Sequence, residues 1–201
     1  MKPAVVFDLG SVLVDCHTDL LVQQMQKHCA VLGPELVETA LHHPLYHQYE
    51  TGHISTEQFI LQTSKAIGYK GTARDFVRAW NSLLSENLDM IGCFDRIRNA
   101  GYKTYVLSNT NPMHLDHMQR HFPFLAKFNG HIFSHEVGFR KPDARIYEAI
   151  EKMTGKSGKY IVYVDDLPVN IKAAQERKWT SILQDNHART INQLHSQLQL
   201  S

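Results

Sequence analysis

The N-terminal stretch of this chain limits its fold more than any other stretch does. Residues 3–7 are apolar without a break, and Asp8 follows them directly, ahead of Leu9, Gly10 and Ser11. An unbroken apolar run is typical of a strand that is buried on both faces of a parallel sheet. A charge at the end of such a strand is costly to bury unless a partner compensates it. Asp8 is therefore predicted either to be paired or to serve chemistry.

The second half of the chain predicts an α/β fold. After residue 88, predicted strands at 102–107, 132–133, 160–164 and 180–183 alternate with stretches of helical periodicity. Strands that alternate with helices predict a doubly wound parallel sheet with right-handed crossovers. The first strand, which ends at Asp8, is expected to belong to this sheet.

Residues 16–88 have a different pattern, with helical periodicity and no predicted strand. Thr18 and Thr72 are predicted helix N-caps, and Ser55 with Gln58 has the spacing of a capping box. Gly68, at the end of one periodic stretch, is a predicted helix stop. Phe76 and Trp80 are predicted to belong to a small apolar core. The pattern predicts a compact helical insertion after the first strand.

The chain is therefore divided into two parts. Residues 1–15 and 89–201 are predicted to form the α/β core, and residues 16–88 the helical insertion. At 201 residues the chain is long enough to bury a sizeable core. It contains no internal repeat, low-complexity tract or long linker.

Composition limits the class of function. Lys and Arg (21) nearly balance Asp and Glu (20), which argues against broad nucleic-acid or membrane binding. No apolar stretch is long enough to span a membrane, and Asp8 comes too early for a secretory signal. Cys16, Cys29 and Cys93 lack CxxC spacing, so reduced thiols are expected. A cytoplasmic monomer or small homo-oligomer is predicted.

Polar residues collect where the predicted strands end. One run ends in Asp8, one in Ser108 and Asn109, and one in Asp165 and Asp166. The carboxyl ends of parallel strands share one edge of the sheet, where ligands usually bind. These residues are therefore expected to converge. A lysine, at position 141, follows the weak strand at 132–133 and is expected to reach the same edge.

This set of groups predicts phosphate chemistry with a divalent cation. Three carboxylates repel one another unless a cation lies among them, and oxygen ligands without a Cys or His cluster favour Mg²⁺. Ser108, Asn109 and Lys141 are suitable partners for a phosphoryl group. Asp8 is then free to attack phosphorus and form an aspartyl-phosphate. Each residue alone has a plainer interpretation as a turn or helix cap, but the combination in this order is much rarer.

The sequence resembles the haloacid dehalogenase-like superfamily of aspartate-nucleophile hydrolases over its whole length. More closely, it is similar to bacterial phosphatases that act on α-D-glucose 1-phosphate and related sugar phosphates, through the segments 47–55 and 140–147. The superfamily motifs are matched by four segments: Asp8-Leu9-Gly10-Ser11-Val12, Ser108-Asn109-Thr110, Arg140-Lys141-Pro142 and Asp165-Asp166.

The resemblance implies a role for each motif residue. Asp8 is implied as the nucleophile, and the insertion as a cap over the site. The implied Mg²⁺ ligands are Asp8, the Gly10 carbonyl, Asp166 and, directly or through water, Asp165. Ser108, Asn109 and Lys141 are implied to hold the phosphoryl group. Asn170 stands where many relatives carry another acidic residue.

One position departs from the superfamily pattern. Most phosphatases of this superfamily have a second aspartate two residues after the nucleophile, which acts as general acid and base, and here that residue is Gly10. Losing such a group typically costs about 10²–10⁴-fold in rate. Three explanations stay open: a leaving group that needs little help, a cap residue such as His47 or Glu50 that substitutes, or slow or absent hydrolysis.

The cap segment around His47 has its own candidates. His42, His43, His47, Tyr49 and Glu50 are dense enough to be predicted on a cap surface that faces the site. Two pairs with i, i+4 spacing, His43 with His47 and His117 with His121, also have the spacing of a zinc site. Solvated helix faces are favoured for them because no HExxH partner accompanies either pair.

The predicted function is a Mg²⁺-dependent phosphatase acting on a small phosphorylated metabolite, with a sugar phosphate such as glucose 1-phosphate as the expected substrate. Two alternatives stay open. One is a catalytically weak protein that binds a phosphorylated ligand or partner. The other is a C–halogen or C–P bond hydrolase of the same superfamily, although Asp165 and Asp166 speak against a metal-free dehalogenase, and no cap lysine stands out as the Schiff-base residue for C–P cleavage.

Overall fold

The computed structural model describes residues 2–31, 33–41 and 43–200. Its strands are β1 (Ala4–Phe7), β2 (Val14–Cys16), β3 (Leu84–Glu86), β4 (Thr104–Ser108), β5 (Gly130–Phe133), β6 (Ile161–Asp165) and β7 (Thr180–Leu183). Its α-helices are α1 (Thr18–Met25), α2 (Gly33–Leu41), α3 (Pro44–Glu50), α4 (Thr56–Ile67), α5 (Ala73–Asn81), α6 (Leu88–Asn99), α7 (Pro112–His121), α8 (Ser134–Val137), α9 (Ala144–Thr154), α10 (Pro168–Glu176) and α11 (His187–Leu198).

The core is a five-stranded parallel sheet in the order β5-β4-β1-β6-β7. The central strand, β1, is fully buried, as its unbroken apolar sequence predicts. Val5 and Phe7 pack against α6, α7 and α11 on one face, while Ala4 and Val6 pack against α9 and α10 on the other. The predicted doubly wound α/β fold is confirmed.

Residues 16–88, which we call the cap, form a helical unit with an aromatic core of its own. Tyr49 stacks on Phe59 at 4.4 Å between ring centroids, and Phe76 stacks on Trp80 at 5.5 Å. Phe59 meets Trp80 edge-on at 5.0 Å. Such pairs stabilise a core by about 0.5–1.5 kcal/mol beyond their burial. The prediction that Phe76 and Trp80 belong to a cap core is confirmed.

Most of the predicted helix boundaries in the cap are also confirmed. Ser55 and Gln58 form the capping box of α4, Gly68 ends that helix in the left-handed conformation, and Thr72 caps α5. The prediction for Thr18 is wrong. It is the first residue of α1, and the N-cap position belongs to His17, whose side chain makes no capping bond.

The prediction of no strand between residues 16 and 88 is also wrong. β2 and β3 form a two-stranded antiparallel sheet that joins the cap to the core. The pairing extends to bonds from the backbone N–H of His17 to the carbonyl of Leu83 at 2.7 Å, and from Asn87 to Leu13 at 3.0 Å. Each strand has three residues, too few for the alternation that identifies a strand in sequence. We call this pair the stem.

The end of α3 contacts the core next to the catalytic edge of the sheet. The hydroxyl of Tyr49 accepts a hydrogen bond from the backbone N–H of Met113 at 3.1 Å. Gly52 adopts a φ of +69°, and a Cβ atom there would lie 2.4 Å from the carbonyl oxygen of His135. Close backbone approach at Gly52 therefore depends on its missing side chain.

Among the residues that the structure describes, no helix is both long enough and apolar enough to cross a membrane.

Candidate active site

The central strand carries Asp8 to the carboxyl edge of the sheet. The backbone N–H of Asp8 donates to the carbonyl of Val164 at 2.9 Å, which continues the ladder between β1 and β6 by one residue. The Asp8 carboxylate accepts from the N–H of Leu9 at 2.7 Å, and its other oxygen lies 2.9 Å from Nζ of Lys141. Asp8 is therefore paired, as its burial requires.

Lys141 lies at the centre of the site and is only 3% exposed. Its Nζ also donates to the Asp165 carboxylate at 2.6 Å. The Asn109 side chain fixes the Lys141 backbone, since its Oδ1 accepts from the Lys141 N–H at 2.7 Å and its Nδ2 donates to the Lys141 carbonyl at 3.1 Å. The ends of β1, β4 and β6 and the loop carrying Lys141 are thus brought together.

The Asp165 carboxylate is saturated with hydrogen bonds. Besides Lys141, it accepts from Nδ2 of Asn170 at 3.0 Å, from the backbone N–H of Leu167 at 2.8 Å, and from the hydroxyl of Tyr163. Asn170 thus donates to a carboxylate, although relatives carry an acid at its position. Asp165 is placed to orient Lys141, and its remaining capacity to bind a cation directly is small.

The three carboxylates form one cluster. Oxygen atoms of Asp8, Asp165 and Asp166 lie within 4.8 Å of one another, and Asp166 is half-buried. Burial raises the pKa of Asp8 to about 7, which Lys141 opposes and the other two carboxylates reinforce. Burial and the Asp165 charge also raise the pKa of Asp166. One lysine does not balance three carboxylates, and this oxygen-only donor set fits Mg²⁺.

The pKa values of Lys141 and Asp165 shift in the directions expected of an ion pair. Burial alone lowers the pKa of Lys141, but the carboxylates of Asp8 and Asp165 outweigh it, so the pKa is raised. Burial alone raises the pKa of Asp165, but Lys141 and the hydrogen bonds to the carboxylate outweigh burial, so the pKa is lowered. Lys141 is therefore a fixed positive charge at this edge of the sheet.

A tight loop follows the nucleophile position. The N–H groups of Leu13 and Val14 donate to the Leu9 carbonyl, both at 2.9 Å, and Ser11 takes a φ of +55°. A Cβ atom built on Gly10 would have one neighbour, Sγ of Cys16 at the ordinary distance of 3.5 Å. The chain therefore has room for a Cβ atom at position 10 and carries none.

The cap contributes one charged residue to the margin of the site. Glu50 is 4% exposed, and its Oε2 lies 3.1 Å from Nη2 of Arg140. The Tyr46 hydroxyl hydrogen-bonds the same carboxylate. Burial raises the pKa of Glu50, while Arg140, Tyr46 and Lys141 oppose the rise. Of the predicted cap candidates, Glu50 is the one whose charge Lys141 stabilises.

The other predicted cap residues have different places. Tyr49 is buried in the cap core, and His43 caps α3 by accepting from the backbone N–H of Leu45 at 3.2 Å. His47 lies on the exposed side of α3. His42 lies outside the described residues.

The second histidine pair forms no metal cluster with a third ligand. The rings of His117 and His121 lie 4.6 Å apart on the outer side of α7. Within residues 2–31, 33–41 and 43–200, the cluster of Asp8, Asp165 and Asp166 is the one group of three or more side chains placed to hold a metal.

Several residues or contacts of the site are not predicted by the sequence. Tyr163, which donates to Asp165, has the sequence pattern of a core aromatic. Asn170 is noted in the sequence only as the position where relatives carry an acid, and its donation to Asp165 is not predicted. Arg140 is part of the Lys141 motif in the sequence, but its ion pair with the cap is not predicted. No sequence pattern predicts Tyr46 or His114 as site residues. His114 lies in the first turn of α7, directly after the Ser108 motif, which places it near the carboxyl edge of the sheet.

The sequence and fold comparisons agree with this geometry. A family model described as haloacid dehalogenase-like hydrolase matches residues 2–176. The chain belongs to this family. The resemblance to the superfamily that its motifs predict is thus confirmed.

Two characterised relatives are similar over most of their length. D-ribitol-5-phosphate phosphatase of Bacteroides thetaiotaomicron is 26% identical over 195 residues, which cover 92% of each chain. The sesquiterpene phosphatase astK of Aspergillus oryzae is 26% identical over 174 residues, which cover 86% of this chain and 84% of the relative.

Solved structures share the fold. A haloacid dehalogenase family enzyme of Bacteroides thetaiotaomicron, in complex with magnesium and inorganic phosphate, superposes with a TM-score of 0.80 at 24% identity, covering 91% of this chain and 94% of the other. A family hydrolase of Porphyromonas gingivalis superposes with a TM-score of 0.82 at 24% identity, covering 96% and 98%.

Proposed function

We propose that this protein is a Mg²⁺-dependent phosphatase that hydrolyses a small phosphomonoester through an aspartyl-phosphate on Asp8. The observation that carries the proposal is the buried Asp8 carboxylate, 2.9 Å from Lys141, in a cluster with Asp165 and Asp166. The phosphatase activity named for both characterised relatives and the magnesium and phosphate bound by the structural neighbour support it.

The donor set suggests which residues hold the metal. Asp8, the Gly10 carbonyl and Asp166 are the proposed direct ligands. Asp165 is already saturated by its donors and is assigned a contact through water. Bound Mg²⁺ supplies positive charge that neutralises the phosphoryl oxygens and the carboxylates around them.

The residues of the chain have distinct tasks in the reaction. A carboxylate oxygen of Asp8 attacks phosphorus while the bond from phosphorus to the ester oxygen breaks, which leaves an aspartyl-phosphate and an alkoxide. Lys141, Ser108 and the backbone N–H of Asn109 hold the phosphoryl oxygens. The Asn109 side chain instead keeps Lys141 in place. Water then hydrolyses the acyl phosphate, returning the Asp8 carboxylate and releasing phosphate.

The alkoxide needs a proton, and Gly10 cannot supply it. Glu50 is engaged with Arg140 and Tyr46, so we assign this proton to solvent water at the mouth of the site. Slow turnover, or a preference for leaving groups of low pKa, follows from this assignment.

A small sugar or polyol phosphate is the proposed substrate class, with ribitol 5-phosphate and glucose 1-phosphate as the first candidates. The relative from Bacteroides thetaiotaomicron is named as a D-ribitol-5-phosphate phosphatase. The cap segment resembles that of enzymes that act on glucose 1-phosphate. The enzyme is proposed to be cytoplasmic, in keeping with its free cysteines, Cys16, Cys29 and Cys93.

A second candidate is a protein that binds a phosphorylated ligand with little turnover, which Gly10 favours. C–P bond cleavage through a Schiff base is disfavoured, because the cap lysines Lys27, Lys65 and Lys70 are all exposed. Metal-free dehalogenation is disfavoured by the Asp166 carboxylate beside Asp8.

The test is phosphate release from a panel of sugar and polyol phosphates, with Mg²⁺ and with EDTA, for the wild type and Asp8→Asn. Turnover that requires both Mg²⁺ and Asp8 is expected on at least one ester. Binding of the esters without turnover would favour the second candidate, and turnover that survives EDTA would contradict the role of the metal.

A further inference from the structure

A small cavity lies between the phosphate-binding edge and the cap. Its volume is about 80 Å³. Gly10 and Ser108 line it on the catalytic side, and Leu83 of the cap and Met118 of α7 contribute apolar surface. Because it adjoins the groups that would hold the phosphoryl oxygens, this cavity is where the first atoms of a leaving group would lie.

Beyond the residues at the end of β4, the cavity lining includes two residues with polar side chains, Tyr46 and His114. The Tyr46 hydroxyl is already hydrogen-bonded to the Glu50 carboxylate. His114 is different. It is 5% exposed, and its Nδ1 has no hydrogen-bond partner among the described residues.

The histidine ring is held in place and uncharged. The backbone N–H of His114 donates to Oδ1 of Asn111 at 3.1 Å, which fixes the first turn of α7, and its ring centroid lies 6.0 Å from that of Trp80. Burial, with a smaller effect from the His117 charge, lowers the pKa of His114 to about 3. At neutral pH it is therefore a neutral imidazole with one N–H donor and one acceptor nitrogen.

A hydroxyl group complements such a ring in either tautomer, because it both donates and accepts a hydrogen bond. Leaving a buried polar atom unpaired costs about 1–3 kcal/mol, which a ligand hydroxyl would relieve and an alkyl group would not. The cavity is also smaller than the roughly 150 Å³ in which benzene binds, so it admits only the first atoms of the leaving group.

We propose that His114 is a specificity-determining residue that hydrogen-bonds a hydroxyl of the leaving group close to the ester oxygen. The inference rests on the proposed phosphatase function and deepens it. The substrates selected are phosphomonoesters of slender polyhydroxylated alcohols. Esters of purely alkyl alcohols are rejected.

The test compares two esters of the same chain length, glycerol 1-phosphate and propyl phosphate, which differ in two hydroxyl groups. The wild type is expected to prefer glycerol 1-phosphate by about tenfold or more in kcat/KM, because a site built to bind a hydroxyl discriminates strongly against its absence. His114→Phe is expected to bring this ratio close to one. His114→Gln, whose amide also donates and accepts, is expected to restore part of it.

The outcomes separate this inference from the proposed function. If the wild type hydrolyses both esters equally well, or if folded His114→Phe keeps the wild-type ratio, the role of His114 is wrong while the phosphatase stands. If neither these esters nor p-nitrophenyl phosphate shows Asp8-dependent hydrolysis, the proposed function itself fails. A wild-type preference also follows from the lower pKa of the glycerol leaving group, so the change of the ratio on substitution decides. Melting curves identify folded variants, and His114→Leu replaces His114→Phe if the latter does not fold.

Discussion

Two ion pairs, one buried and one partly exposed, diverge from the peptide bond between Arg140 and Lys141, and they differ in their charge balance. Lys141 reaches into the core, where three carboxylates surround a single cation. Arg140 reaches the cap, where it meets one carboxylate, that of Glu50, at 3.1 Å. The excess negative charge in the core favours a metal, and it adds to burial, the larger cause, in raising the pKa of Asp8 to about 7. The balanced pair at the cap calls for no ligand.

The two adjacent residues therefore differ in role: Lys141 belongs to the candidate active site, and Arg140 holds the cap against the core. The core pair is reinforced by the hydrogen bonds of Asn109 to the Lys141 backbone and by donors from Tyr163 and Asn170 to Asp165, so its geometry is over-determined. The cap pair has one further hydrogen bond, from Tyr46. Within the part of the chain that the structure describes, the buried Nε of Arg140 and Oε2 of Glu50 have no hydrogen-bond partner. Rigid placement is expected where electrostatic catalysis depends on it, and a looser contact where a cap meets its core.

The first prediction sets these neighbours against each other. Lys141→Met should lower kcat/KM by about 10²–10³-fold, since it removes a preorganised charge from the transferring phosphoryl group. Arg140→Met removes the same charge one residue away and should cost less than about tenfold. Phosphate release at saturating Mg²⁺ measures both, and circular dichroism verifies folding. Equal losses in the two variants would contradict the division between chemistry and docking.

The second prediction asks whether the cap supplies proton transfer. Glu50 is engaged with Arg140, so we expect Gly10→Asp to raise kcat for esters with poor leaving groups by about tenfold or more. A Cβ at position 10 meets only Cys16, at 3.5 Å, so the new side chain should fit. Gly10→Asn, similar in shape but unable to exchange a proton in this way, is the control. No gain from aspartate over asparagine would indicate that another group already transfers the proton.

The third prediction concerns the contact between cap and core at Gly52. Gly52→Ala should destabilise the protein by about 2–3 kcal/mol, because it adds a backbone clash at 2.4 Å to the cost of a left-handed φ. Gly155→Ala in the core is the matched control. Its φ of +64° is similar, but a Cβ there has no neighbour within 4 Å, so about 1 kcal/mol is expected. Urea unfolding measures both, and equal losses would mean that the close approach at His135 is unimportant.

The sequence predicts the core better than the junction with the cap. β1 and β6 are recognisable because strands buried on both faces are apolar throughout, and the polar residues at their ends stand out for the same reason. The stem is not recognisable, since three-residue strands depend on partners that lie about 70 residues away. The wrong N-cap has the same origin. The backbone N–H of His17 is held by the Leu83 carbonyl next to the stem, so His17 takes the N-cap position and α1 begins at Thr18, one residue earlier than with Thr18 as the cap.

The same limit applies within the site. Asp8, Lys141, Asp165 and Asp166 converge as predicted because topology alone brings strand ends to one edge. The hydrogen bonds that assign different tasks to them were not predictable. That Asn109 serves Lys141 through its side chain, for example, depends on the spacing of two loops, which no local pattern encodes.

The last prediction measures the cap pair itself, and the smallest effect is expected here. Glu50→Gln and Arg140→Met should each reduce the free energy of unfolding by about 1–2 kcal/mol, since each leaves a partner without its ion pair. Together they should cost less than the sum, with a coupling of about 0.5–1 kcal/mol. Arg140 is about a third exposed at its side chain, so solvent limits the size of this coupling. A double-mutant cycle by urea unfolding gives the value, with the exposed pair Arg120 and Asp116 of α7 as a reference expected to show less coupling. Additive losses at Glu50 and Arg140 would show that the two residues stabilise the protein independently, and the cap would then be held by the stem and by the Tyr49 and Gly52 contacts alone.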